Sequence, residues 1–80
     1  LIKANRNKIE EIVNHILLFC ENPRLFEDIL QHIFSVYSLK MDANQYILVG
    51  STSRSYLSYM SDENLLTYEF YDSKMYWKKI

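Results

Sequence analysis

Two histidines and one cysteine are the residues of this chain best suited to hold a metal or activate a nucleophile. A zinc centre needs three or four ligands at characteristic spacing. His15, Cys20 and His32 show no such spacing, and the two histidines fall on separate helical segments. Serine is plentiful, but no nucleophile-elbow motif is present and neither histidine has a partner nearby in sequence. We therefore expect no catalytic residue, no metal ligand and no cofactor-binding residue in this chain. Cys20 closes a helical apolar stripe, which suits a buried thiol acting as a small hydrophobe.

Two other sets of residues carry possible chemistry. Ser51, Arg54, Ser55 and Ser58 share one face of a helical pattern, and Lys74 stands at a turn beyond it. Short hydroxyls and a cation on a helix suit the major groove of DNA, and a lysine at a hairpin tip suits phosphate. The set is thin, and Asp62, Glu63, Glu69 and Asp72 lie close to it in sequence. The net charge of −1 offers no basic excess of the kind that drives nucleic-acid affinity. The second set is apolar and out of phase with the core: Leu18, Ile47, Leu48, Tyr59 and Tyr76. Apolar residues on an otherwise polar face can mark a protein contact. Base stacking on the tyrosines is the weaker use. Tyr46, Tyr56 and Tyr68 have core phase, and only Tyr59, Tyr71 and Tyr76 are expected outside.

These residues need elements to position them. Ile9, Ile12, Val13, Ile16, Leu17 and Cys20 follow helical spacing from Arg6 to Glu21, with Asn5 as N-cap and residues 1–5 as a tail or linker. Asn22-Pro23 ends that helix and has the form of a start for the next. Phe26, Ile29, Leu30, Ile33 and Tyr37 mark a second helix over Leu25 to Ser38. Asp42 to Gln45 has capping-box form and opens a third. That helix presents Tyr46, Val49, Ser53, Tyr56, Leu57 and Met60 on its inner face and runs through Gly50 as one piece. Asn64 suits a left-handed helix end. Leu66, Tyr68 and Phe70 then alternate with Thr67, Glu69 and Tyr71 as a half-buried strand. Asp72-Ser73 turns, and Lys74 to Lys79 alternates again.

Helix, helix, helix and hairpin is the order of an α+β winged helix-turn-helix, and 80 residues make one such domain. A single cysteine rules out an internal disulfide and fits a reducing, cytoplasmic setting. No apolar run is long enough to span a bilayer, so no membrane partner is expected. The chain opens on Leu1 rather than Met, and we expect it to be part of something longer.

The segment SRSYLSYMSDENLLTYEFYDSKMYWKK, behind three helices opening with NRNKIEEIVNHIL, resembles the winged-helix segment at the C-terminus of metallo-β-lactamase-fold hydrolases. Such segments carry a Tyr-Leu pair before an acidic helix end, then a strand, a turn and a strand bearing Trp. Asn5-Arg6 stands where the family often has His-Arg, Asn64 where it often has Gly, and Leu25 near where a capping Thr or Ser is common. The resemblance implies an accessory domain that packs on a parent hydrolase domain or on a second copy. The parent's zinc or other divalent metal would lie upstream. The family's His-x-His-x-Asp-His motif is absent here, so no ligand carries over. DNA binding, as in a transcription regulator, is the alternative.

Overall fold

The computed structural model describes residues 2–80, with side chains from Ile9 onward. It is an α+β arrangement of three helices and a three-stranded antiparallel sheet. Helix α1 spans Ile2–Phe19. It begins earlier than the apolar stripe alone suggests, because Lys3 and Ala4 favour helix and no breaker precedes Pro23. Residues 2–5 are therefore helical rather than a tail, and Asn5 lies inside the helix instead of capping it.

Asn22-Pro23 ends α1 but does not start the next helix. The chain stays extended through a two-residue strand β1 (Arg24–Leu25), then enters α2 (Phe26–Val36). Leu25 occupies the N-cap position without a side-chain hydrogen bond. Glu27 and Asp28 in the first turn meet the positive end of the helix instead. The far end closes on Ser38, whose φ is 52°. Leu39 N–H donates to Phe34 O at 2.9 Å and Ser38 N–H to Ser35 O at 3.2 Å, a Schellman closure.

Helix α3 (Ala43–Asp62) opens as its sequence requires: Gln45 N–H donates to the Asp42 carboxylate at 2.9 Å. It continues through Gly50 without a break. Gly50 is buried where α2 and α3 cross, and a Cβ there would meet Leu30 Cδ2 at 3.8 Å. The end is a second Schellman closure, with Asn64 at φ 60° and Leu65 N–H donating to Met60 O at 2.8 Å.

Strands β2 (Leu66–Tyr71) and β3 (Lys74–Lys79) form a hairpin. Asp72 and Ser73 both have positive φ, 53° and 63°, the pairing a type I′ turn demands. The strand order is β1-β3-β2, so β3 is central, with Leu25 opposite Tyr76 and Tyr68 opposite Trp77. Ile16, Cys20, Ile29, Ile33, Leu57, Met60 and Leu66 form one buried cluster, with Phe26, Tyr56 and Trp77 packed against it. A fully buried aliphatic of this size contributes roughly 1.5–3 kcal/mol, so this cluster is the main cohesive element.

Burial departs from the alternating pattern along the hairpin. Leu66 is 1% exposed, Tyr68 49% and Phe70 70%. The expected core phase of Tyr68 is thus not realised. Among the described residues, no helix covers the outer half of the hairpin. Tyr46 is likewise exposed at the rim, where its hydroxyl donates to the Glu27 carboxylate and ties α3 to α2.

Candidate interaction surfaces

The polar set on α3 is assembled as its phase requires. Ser51, Arg54, Ser55 and Ser58 are all exposed on the outer side of the helix, and Lys74 is exposed next to the hairpin turn. Several of these groups already have local partners. The Arg54 guanidinium lies 4.0 Å from the centre of the Phe26 ring, a cation–π contact across to the start of α2. Ser55 Oγ donates to Ser51 O at 3.3 Å, and Thr52 Oγ1 donates to Leu48 O at 3.0 Å. Arg54 is the only cation that α3 carries. The surface is therefore a row of hydroxyls with one partly engaged guanidinium, which makes a poor counter-charge for phosphates.

The apolar set is spread over three elements. Ile47 and Leu48 are 66% and 64% exposed near the start of α3, Ile47 in line with the serine row and Leu48 at its edge. Leu18 is 68% exposed on the side of α1 away from the core. Tyr59 borders a shallow groove with Ile9, Val13 and Leu65, where α1 passes the end of α3. Tyr76 is only half-buried rather than freely exposed, because β1 pairs with β3 there. Sequence phase could not show that, since β1 is too short to leave a pattern.

His15 and His32 meet across α1 and α2, with ring centres 6.5 Å apart. His32 stacks on Phe19 at 4.2 Å with near-parallel rings, and His15 meets Tyr37 edge-on at 5.8 Å. Arg24 covers the other reach of Phe19, at 4.3 Å from the ring centre, and donates through Nε to Phe19 O at 2.9 Å. Burial, aided by the neighbouring His15 and Arg24, holds the His32 pKa below its ordinary value. Tyr37 donates to Glu11 at 2.6 Å, and burial together with that carboxylate pushes its hydroxyl up to about 12. Cys20 is fully buried, and its thiol is pushed up to about 11 by loss of solvent. Among the described residues, no three of His, Cys, Asp and Glu come together as a ligand set. The histidine and tyrosine cluster reads as a helix-to-helix clamp.

Among the described residues, no helix is long and apolar enough to cross a membrane. Compared with protein-family models, curated proteins and solved structures, the chain finds no match.

Proposed function

We propose that this chain is a non-catalytic winged-helix domain that works by docking on protein. The observation that carries the proposal is the outer side of α3. Where a groove-reading helix needs cations, it offers Ile47 and Leu48 at two-thirds exposure and a single arginine seated on Phe26. Leu18 and Tyr59 extend the apolar supply to α1 and to the end of α3. The resemblance to metallo-β-lactamase-fold hydrolases supplies one partner, the catalytic domain of a longer chain. In that setting the domain shapes access to a metal centre it does not itself contain.

Duplex DNA is the second reading. It is favoured by the common exposure of Ser51, Arg54, Ser55 and Ser58, with Lys74 beyond them. A duplex titration at about 50 mM and about 200 mM salt separates the two, because phosphate contacts weaken steeply over that range. The docking reading expects no binding at either concentration and no change on Arg54→Glu. Salt-sensitive binding that Arg54→Glu abolishes would replace it. In the longer chain, Ile47→Asp or Leu48→Asp is expected to alter parent activity while the domain stays folded by circular dichroism.

A further inference from the structure

Among the described residues, no strand pairs with the outer edge of β2. The strand order places β3 in the middle, with β1 on one side and β2 on the other. The β1 side of β3 is occupied: Arg24 and Leu25 pair there, and Lys79 N–H donates to Cys20 O at 2.8 Å. On the β2 side, the hydrogen-bond directions follow from the two-residue turn. The flanking pair Tyr71–Lys74 exchanges both backbone bonds, and alternation assigns the next exchanges to Glu69–Tyr76 and Thr67–Lys78. The contact from Ile80 N–H to Leu65 O keeps the same alternation. Leu66, Tyr68 and Phe70 therefore turn their N–H and C=O groups away from β3, along the free edge.

We propose that this edge pairs with the same edge of a second copy, antiparallel about a twofold axis at Tyr68. The strand is self-complementary in that register. The outward-facing residues meet one another, with Tyr68 opposite Tyr68 and Leu66 opposite Phe70 of the second copy. Each then exchanges both backbone bonds. Opposed residues of an antiparallel pair share a face, so the exposed rings continue a row already begun within one chain. There Tyr68 meets Trp77 at 5.6 Å and Phe70 at 6.1 Å. Charge counts against one neighbouring register, and an axis at Thr67, the other neighbour, would leave Phe70 without a partner in the strand. The axis at Tyr68 sets Glu69 opposite Thr67, whereas an axis at Glu69 would set two carboxylates face to face.

The usual guards of a free edge are missing. Solvent-facing edges are commonly blunted by lysine, proline or a bulge. β2 has the sequence LTYEFY, pairs with β3 residue for residue, and bears one charge, Glu69. The opposite edge of the sheet is only two residues long, so pairing ends at a closed dimer and does not propagate. This surface is separate from Ile47 and Leu48. The proposal rests on the docking reading only in naming one protein partner.

Sedimentation of the chain from low to high micromolar concentration tests it, with amide exchange followed at β2. The expected result is a reversible dimer, with slowing of exchange at Tyr68 and Phe70 that grows with concentration. Thr67 and Glu69, bonded to β3, should be protected at every concentration. Tyr68→Pro removes an edge N–H without touching the β3 ladder and is expected to leave a folded monomer. If that variant does not fold, Phe70→Lys at the exposed end is expected to weaken the dimer at least tenfold. A wild-type chain that stays monomeric throughout overturns the proposal. So does a dimer that persists in a folded Tyr68→Pro or in Phe70→Lys, or an edge protected only by a different protein. A monomer whose Ile47→Asp variant still alters the longer chain would sink the dimer and keep the docking reading.

Discussion

His32 couples the packing of α1 on α2 to pH. Its folded-state pKa is lowered, so the unfolded chain takes up the proton first as pH falls through the ordinary value of 6.5. Stability is unaffected by this group well above that pH. It declines as acid is added and levels off once the folded chain is protonated too. Urea midpoints measured between neutral and mildly acidic pH should show the decline, and His32→Phe, which keeps a ring against Phe19, should reduce it. Cys20 behaves differently. With its thiol fully buried and raised to about 11, alkylation by iodoacetamide near pH 8 should be blocked in the folded chain and released by urea, as read by mass. The role of Cys20 followed from its place on an apolar stripe. The pairing of His15 with His32 did not, because it depends on how two helices are rotated against each other.

At the scale of elements, local chemistry was informative wherever a residue type answers a backbone need. Asp42 caps α3, Asn64 takes the left-handed position, and Asp72-Ser73 makes the turn. Where geometry is imposed from a distance, the sequence was silent. Strand β1 exists because β3 lies beside it, and two residues leave no period to read. The outer hairpin reads as half-buried by alternation yet stands clear of the helices, since alternation reports which face a residue takes and not whether anything covers it. Gly50 offers a test of helix against packing. Its place in a continuous helix carries an entropic cost, and a methyl group added there would meet its nearest neighbour at an ordinary contact distance. Gly50→Ala should therefore stabilise the fold by roughly 0.5–1 kcal/mol, measured by urea denaturation. A loss of stability would mean that α2 and α3 need to approach more closely than this.

For the molecule as a whole, one small cluster joins helices to sheet. Leu66 is the part of the hairpin buried in it. Leu66→Ala should cost roughly 2–5 kcal/mol, a large share of what a domain this size has. Trp77 packs on the same cluster, so its fluorescence and the helical circular dichroism should be lost together in urea. Separate transitions would mean that the hairpin and helices melt as independent units.

The central place of β3 also governs when the fold can form. Lys79 bonds to Cys20, and Trp77 pairs with Arg24, so the contacts that complete the sheet join residues far apart in sequence. As the chain leaves a ribosome, α1, α2 and α3 are all synthesised before the strand that both sheet edges require. Until β3 emerges, Leu66 has no partner strand and the Cys20 carbonyl at the end of α1 lacks its bond from Lys79. Long-range closure of this kind slows folding relative to a purely helical domain. During translation, the part of the helical cluster that Trp77 covers therefore stays exposed for an interval.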